Sequence, residues 1–172
     1  MPLRRSMIVT PGDSPSVIQK AVAGPADMIF IELEDGIHPS RKEEARQITV
    51  RALREIDWRG KDRLVRVNLI NGEDGRLEIA GINPARPTAL LLPKVETADD
   101  VLLASRMMAE AEVRAGIAIG TVKLWAMIET AKALIHVEDI ARADPRMDGL
   151  IFGGGDLSVD LQVKRIGLGK FR

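Results

Sequence analysis

Two acidic side chains follow consecutive apolar segments, and their types and positions suit metal binding. Glu129 ends the segment "VKLWAMIE" (122–129), and Asp156 follows the three glycines of "LIFGGGD" (150–156). Glycines at the end of a strand let the backbone approach a ligand closely, and Asp156 would then project into open space. Mg²⁺ is commonly held by one or two protein carboxylates, with water and substrate oxygens completing the octahedron. The pair therefore predicts a magnesium site. Without a cation, mutual repulsion would raise one of the two pKa values.

Each of these acids also has a simpler structural interpretation. Asp156 precedes "LSVD" and could be a helix N-cap, while Glu129 precedes "TAKAL" and could be a first-turn acid favoured by the helix dipole. The occurrence of both acids at the ends of consecutive strands favours the metal-site hypothesis.

A basic side chain, Arg66, lies inside the apolar segment "LVRVNLI" (64–70). Burial of a guanidinium is costly unless the group is paired. We expect Arg66 either to meet the acids Glu34 and Asp35 or to hold an anionic ligand through its planar fork, and the two roles are compatible.

Other polar residues give weaker indications. Asn68 is predicted to be a further hydrogen-bonding group at the end of a strand, and Lys94 could be a Schiff-base amine, although a salt bridge is favoured. The glycine run does not have the spacing of a dinucleotide or phosphate loop. His38 and His136 are too few and too far apart to predict a histidine metal site.

Short apolar segments alternate with longer stretches of helical spacing. The six predicted strands are 6–10, 28–34, 63–68, 89–95, 122–129 and 148–153. Continuously apolar strands are typical of a parallel sheet covered on both faces, and the repeated strand–helix order is typical of an α/β fold. Ser40 with Glu43 predicts a capping box for the second helix, Thr97 predicts the cap of a later helix, and the segment "GRLEIAGI" (75–82) is ambiguous.

The repeat length favours a (β/α)8 TIM barrel over a doubly wound sheet. In such a barrel the carboxyl ends of the strands share one rim, where the chemistry is placed. A complete barrel has about 250 residues, so we expect one domain over residues 1–172 with about six of the eight βα units and an incomplete carboxyl-terminal part. The alternative is a short protein whose missing wall is supplied otherwise. Open strand edges predict self-association.

The composition excludes several classes of function. The 25 basic and 25 acidic residues balance, so no net positive field attracts nucleic acid or an anionic membrane. Absence of cysteine excludes disulfides and thiolate chemistry, and is consistent with a reducing cytoplasm. No apolar run approaches the roughly 18 residues of a spanning helix. We therefore expect a cytoplasmic protein without a nucleic-acid or membrane partner.

Six motifs in order resemble the HpcH/HpaI aldolase and citrate lyase family, and its citrate lyase beta-subunit-like, malyl-CoA lyase branch in particular. The motifs, from about residue 4 to residue 161, are "RRSMIVTPGDSP", "IELEDGIHPSRKEEAR", "VRVN", "LLPKVET", "AMIETAKAL" and "IFGGGDLSVDL". The resemblance implies a TIM barrel, Mg²⁺, and cleavage or formation of a carbon–carbon bond in a hydroxyacyl-CoA thioester.

The resemblance also implies roles for individual residues. Glu129 and Asp156 match metal ligands, Arg66 matches the arginine that binds the carboxylate of a 2-oxoacid, and Arg5 and Gly155 match further substrate-side positions.

The acids of "LEDG", Glu34 and Asp35, resemble a pair that orders the metal-bound waters and Arg66, and so belong with Arg66 to the catalytic set. The chain departs from the family pattern at Glu32, where the family usually has Asp, and at Gly36, where it usually has a small side chain. The family also continues beyond "DLSVDL", with two more strands and a segment whose acid completes the site of a neighbouring subunit.

The preferred hypothesis is a magnesium-dependent lyase that acts on a 2-oxoacid, such as glyoxylate or oxaloacetate, and an acyl-CoA of the acetyl type. One alternative is a class II-type aldolase for free 2-oxoacids without CoA. Another is a catalytically silent barrel fragment or assembly subunit. A homo-oligomer, either a trimer or a hexamer, is expected.

Overall fold

Six parallel strands form one sheet, and their order in the sheet is their order in the sequence. This computed structural model describes residues 3–163. The strands are β1 (Met7–Pro11), β2 (Met28–Glu32), β3 (Asp62–Arg66), β4 (Ala89–Leu92), β5 (Lys123–Ile128) and β6 (Met147–Phe152). Each overlaps a strand predicted from the sequence, so the α/β class with six βα units is confirmed. The assignment of residues 1–172 to a single domain remains a prediction.

Helices connect the strands and cover the outer face of the sheet. They are α1 (Pro15–Ala23), α2 (Lys42–Glu55), α3 (Glu73–Ile82), α4 (Ala98–Arg114), α5 (Ala131–Ile135), α6 (Val137–Arg142) and α7 (Gly154–Asp160), with 3-10 turns at Pro39–Arg41 and Asn83–Ala85. The ambiguous segment 75–82 is thus helical. Within this helix, position 75 requires glycine, because a Cβ on Gly75 would lie 2.3 Å from the carbonyl oxygen of Leu69. Within residues 3–163, every helix is too short or too polar to span a bilayer.

The two predicted helix starts have different outcomes. Thr97 does precede α4, and its N–H donates to the Asp100 carboxylate at 2.9 Å, which forms half of a capping box. The capping box of Ser40 and Glu43 is wrong, because the chain first makes the 3-10 turn and α2 begins only at Lys42. In that turn the N–H of Ser40 donates to Nδ1 of His38 at 3.3 Å, so His38 takes the capping position.

The inner face of the sheet carries its own apolar cluster, separate from the core between sheet and helices. Its buried members are Met28, Phe30, Leu64, Ala89, Leu91, Trp125 and Met127. Met7 of β1 and Ile151 of β6 both pack against this cluster. The sheet therefore curls until its first and last strands share one interior, as in a barrel wall.

Arg4 lies at the amino-terminal end of this interior. Its Nε donates to Asp62 of β3 at 2.6 Å and its Nη1 to Asp148 of β6 at 2.8 Å, while the guanidinium lies 5.3 Å from the ring centre of Trp125. The side chain thus connects strands that are distant in the sheet and covers the end of the interior opposite the predicted site.

The first and last strands have free edges. Within residues 3–163, β1 pairs only with β2, and β6 only with β5. Apolar side chains on these strands are exposed, including Val9 at 56% and Phe152 at 70%. The incomplete barrel wall and the self-association expected from the sequence both remain predictions.

Candidate active site

Arg66, the last residue of β3, is the centre of a buried ionic cluster at the carboxyl end of the sheet. Its Nη2 lies 2.5 Å from Oε2 of Glu32, and its Nη1 lies 3.1 Å from Oε2 of Glu34. Both carboxylates are almost fully buried, at 6% and 4% exposed. The expected contact with Glu34 is therefore present. The other partner is Glu32, whereas Asp35 is exposed and, within the described residues, forms no ion pair with Arg66.

An apolar floor supports the Arg66 guanidinium. The ring of Phe30 lies 5.8 Å from it, and Nη1 lies 3.6 Å from the sulfur of Met127. Burial lowers the pKa of Arg66, but the adjacent Glu32 and Glu34 carboxylates outweigh burial and raise it overall. Burial also raises the pKa of Glu34, although Arg66 opposes this shift. The cluster consequently holds a permanent positive charge between two acids, one of which binds its proton more strongly than usual.

Lys94 connects this cluster to the next strand end. It follows β4 with φ at +50°, a left-handed conformation that is uncommon for a residue with a side chain. Its backbone N–H donates to Oε1 of Glu129 at 2.7 Å, and its ammonium lies 3.4 Å from Oε1 of Glu34. The contact is the salt bridge favoured by the sequence. Backbone strain of this kind concentrates at functional sites, where the surrounding structure maintains it.

Glu129 is buried immediately after β5 and lies against the glycine run. A Cβ on Gly153 would be 2.4 Å from Cβ of Glu129 and 2.7 Å from its Oε2, so any side chain at 153 would displace the carboxylate. Burial raises the pKa of Glu129, the Lys94 N–H lowers it, and the charge of Asp156 raises it further. The two acids singled out in the sequence are therefore close enough to interact electrostatically.

Neither acid has the role of its simpler interpretation, because Glu129 lies before the first turn of α5 and Asp156 is not the N-cap of α7. Thr130, not Glu129, caps α5, since its side chain accepts the N–H of Ala133 at 3.1 Å. Gly153 is the N-cap residue of α7, and Asp156 lies in the first turn of that helix, where the helix dipole favours an acid. Within residues 3–163, Asp156 makes no side-chain hydrogen bond and is exposed. The Asp156 carboxylate is therefore accessible to a ligand, whereas Glu129 is 2% exposed and already accepts the Lys94 N–H through Oε1.

The donor chemistry of this pair fits Mg²⁺ better than a softer metal. Among the described residues, no group of three or more acidic or histidine side chains is placed to hold an ion by itself. Two carboxylates are nevertheless the usual protein contribution to a magnesium site, where water and substrate complete the shell. Glu129 and Asp156 would be the residues that hold the ion.

The structure brings most of the predicted site residues to this rim, with Arg5 as the exception. Gly155 lies in the first turn of α7, next to Asp156. Arg5 precedes β1 and pairs with Asp27, which precedes β2, with Nη2 and Oδ1 2.9 Å apart. Both residues lie at the amino-terminal ends of their strands, so the position of Arg5 does not support a substrate contact.

Comparison with known proteins identifies the family of the chain. The sequence profile of the HpcH/HpaI aldolase/citrate lyase family matches residues 5–170. The chain belongs to this family.

Relatives of this HpcH/HpaI family member include citrate lyase beta subunits and (3S)-malyl-CoA thioesterases. A citrate lyase subunit beta from Leuconostoc mesenteroides subsp. cremoris is 31% identical over 95% of this chain and 54% of its own length. A (3S)-malyl-CoA thioesterase from Cereibacter sphaeroides is 32% identical over 91% of this chain and 51% of its own length. The citrate lyase beta subunit of M. tuberculosis, solved with oxaloacetate and magnesium, superposes with a TM-score of 0.72 at 27% identity, covering 95% of this chain and 66% of that one. The chain spans about half the length of the curated relatives it matches.

Three polar residues of this HpcH/HpaI family member support the rim, and only Asn68 among them has a role predicted from the sequence. The ammonium of Lys42 donates to the carbonyl oxygens of Leu33 and Glu34, both at 2.6 Å, and to Oδ1 of Asn68 at 2.8 Å. Asn68, the predicted hydrogen-bonding group, also donates to Glu78. An acid in the apolar stretch "LEIAG" was the available signal for Glu78.

Proposed function

We propose that this chain carries the metal-binding and anion-binding rim of a magnesium-dependent carbon–carbon lyase. The reaction would cleave or form a 3-hydroxyacyl-CoA thioester of the citryl-CoA or malyl-CoA type, with a 2-oxoacid and acetyl-CoA as the other reactants. The observation that carries the proposal is the pair of Glu129 and Asp156, which have no capping role and lie beside the Arg66 cluster. The M. tuberculosis relative, solved with oxaloacetate and magnesium, supports the same ligand classes.

The charged groups of the site would have different roles in binding the substrate. Mg²⁺, when bound, would supply Lewis-acid stabilisation of negative charge on the oxygens of the 2-oxoacid. Arg66 is held by Glu32 and Glu34 and would present a fixed positive charge to the substrate carboxylate. Lys94, with 39% of its side chain exposed against 14% for Arg66, would be the cation that an incoming anion meets first. The apolar floor of Phe30 and Met127 would keep water from below the reacting groups.

Loss of either proposed ligand tests the function directly. We expect Glu129→Gln and Asp156→Asn each to weaken Mg²⁺ binding by about tenfold or more, equivalent to about 1.4 kcal/mol, since each removes one of two anionic ligands. Isothermal titration calorimetry with MgCl₂ measures this. The matched control is Glu96→Gln, which changes a partly exposed acid that pairs with Lys132.

Turnover then distinguishes the substrate classes. Cleavage of malyl-CoA or citryl-CoA that requires Mg²⁺ supports the proposal, whereas activity only with pyruvate and an aldehyde indicates an aldolase for free 2-oxoacids. If titration of the wild-type chain with MgCl₂ shows no heat of binding, the chain is a catalytically silent subunit. Unchanged binding in either variant would refute the assignment of the ligands.

Replacement of Lys94 should change the affinities for metal and substrate in opposite directions. Lys94→Gln removes a charge-assisted contact to the oxoacid, so oxaloacetate binding should weaken about tenfold. The same change removes a positive charge beside the carboxylates, so Mg²⁺ binding should tighten about fivefold at low salt. Calorimetry measures both affinities, and Lys132→Gln, at an exposed lysine, is the control. A loss of both affinities would show instead that Lys94 only maintains the local structure.

A further inference from the structure

Glu78 is a fully buried acid of α3 that the proposed reaction does not use. It is 0% exposed, and both of its carboxylate oxygens accept hydrogen bonds from one residue. Oε2 accepts the backbone N–H of Asn68 at 2.6 Å, and Oε1 accepts the side-chain amide of Asn68 at 2.6 Å. The two bonds fix both the main chain and the side chain of Asn68, just beyond the end of β3.

Asn68 in turn holds the segment that follows β2. Its amide nitrogen donates to the carbonyl of Leu33 at 2.8 Å, and its amide oxygen accepts the ammonium of Lys42. Lys42 donates its other two hydrogens to the carbonyls of Leu33 and Glu34. Two of the three ammonium donors therefore fix consecutive peptide groups, and the third connects them to Asn68.

Those peptide groups carry the acid that meets both cations of the rim. The side chain of Glu34 contacts Arg66 at 3.1 Å and Lys94 at 3.4 Å. A shift of its backbone would break both contacts, because a rigid constellation depends on the groups that hold its members in place. Glu78 does not touch any of these side chains itself.

We propose that Glu78 is a positioning residue for the rim, which acts through Asn68 and Lys42 to hold Glu34 against Arg66 and Lys94. The positioning of Glu34 follows from the contacts alone, and its effect on substrate binding rests on the proposed function.

Hydrogen exchange measured by mass spectrometry tests the positioning without any ligand. In Glu78→Gln an NH₂ group replaces one carboxylate oxygen and cannot accept a hydrogen bond from Asn68. One of the two bonds that fix Asn68 is then lost, so amide hydrogen exchange in residues 33–37 should become about tenfold faster. The affected amides include those of Leu33 and Ile37, which donate to the carbonyls of Arg66 and Glu34 at 3.1 Å. Lys42→Met, which changes a side chain that is only partly buried, should accelerate the same segment and provides a second variant if Glu78→Gln folds poorly.

The matched control is Glu112→Gln, at another fully buried acid. Glu112 accepts the N–H groups of Gly120 and Val122 at 2.9 and 3.1 Å, so the control should accelerate exchange around 120–122 and leave 33–37 unchanged. Unchanged exchange at 33–37 in folded Glu78→Gln and Lys42→Met would overturn the proposal. A uniform acceleration throughout residues 3–163 would also overturn it, because that result indicates only a loss of global stability.

Binding measurements on the same variants examine the functional part. Glu78→Gln should weaken oxaloacetate binding about tenfold while Mg²⁺ affinity stays within twofold, since the proposed metal ligands follow other strands. A wild-type chain that binds no oxaloacetate, combined with faster exchange at 33–37 in the variant, would contradict the proposed function and support the positioning of Glu34. Weaker binding of both ligands would contradict a selective role of Glu78.

Discussion

Replacement of Arg66 with glutamine is expected to lower the free energy of unfolding by about 3–5 kcal/mol, because it leaves two buried carboxylates without their counter-charge. Glu32 and Glu34 are 6% and 4% exposed and contact the guanidinium at 2.5 and 3.1 Å. Lys94 remains 3.4 Å from Glu34 and would compensate only part of the loss. Urea denaturation followed by circular dichroism at pH 8 measures the change.

The same variant should recover part of its stability in acid. Burial already raises the pKa of Glu34 above its ordinary value, and Arg66 opposes that shift. Without Arg66 the pKa rises further, so the folded state takes up a proton that the unfolded state does not hold. A raised pKa in the folded state contributes stability at low pH that is lost as the pH increases. The loss in free energy of unfolding caused by Arg66→Gln should therefore be smaller at pH 5 than at pH 8.

Arg146→Gln is the matched control for the ionic cluster. Arg146 forms a second buried pair, in which Nη1 and Nη2 contact the two oxygens of Glu112 at 3.0 and 2.6 Å, and Nη1 also donates to the carbonyl of Val122. This pair lies at the amino-terminal side of β5, away from the rim. We expect a similar loss of stability in both variants, but a loss of oxaloacetate binding only in Arg66→Gln. Normal oxaloacetate affinity in Arg66→Gln would contradict the proposed role of Arg66.

The sequence predicted the arrangement of strands and the general place of the site because both follow from local patterns. Continuous apolar segments such as Ala89–Leu92 are typical of strands buried on both faces, and six such segments alternating with helices indicate a parallel sheet. Once that topology is accepted, Glu129 and Asp156 must share one end of the sheet. Their proximity was therefore predictable although 27 positions separate them.

Side-chain partners were less predictable, because they depend on where each strand ends. The second strand was expected to continue to residue 34, but it ends at Glu32. Glu32 ends the strand and Glu34 lies in the bend that follows, yet both contact Arg66, whereas Asp35 lies in a turn and is exposed. Both the buried guanidinium and the resemblance pointed to Glu34 and Asp35, because the place where the strand turns is not visible in "IELED".

Contacts between distant parts of the chain left no local signal. Arg4 reaches Asp148 across 144 positions, and nothing in "RRSM" distinguishes its role from that of Arg5. The substrate role of Arg5 came from a matched motif, yet a five-residue strand, about 17 Å long, separates it from the rim. A motif fixes the order of residues along the chain, but only the packed structure fixes which end of the barrel each residue faces.

The stability of the wild-type chain is expected to decrease by about 3 kcal/mol as the pH rises through the ionisation of Glu78. Burial raises the pKa of Glu78 from 4.5 to about 7, and the Asn68 donors and the charge of Lys42 offset this only in part. Between these two values the folded state retains a proton that the unfolded state has released, so the free energy of unfolding falls as the pH increases. The contribution is complete below about pH 4.5 and is lost as the pH rises through about 7.

Comparison with Glu78→Gln isolates this contribution from those of other acids. Glu34 and Glu129 also have raised pKa values, so they add a slope of the same sign to both proteins and cancel in the difference. Urea denaturation at intervals from pH 5 to pH 8 should show a variant whose stability depends less on pH than that of wild type. Glu112→Gln is the control. Burial raises the pKa of Glu112, but the hydrogen bonds from Arg146 outweigh burial, so the pKa is lowered overall. The contribution of Glu112 to stability is therefore lost only in stronger acid. Parallel profiles for wild type and Glu78→Gln would mean that Glu78 is ionised in the folded state throughout this range, with Lys42 as its effective counter-charge.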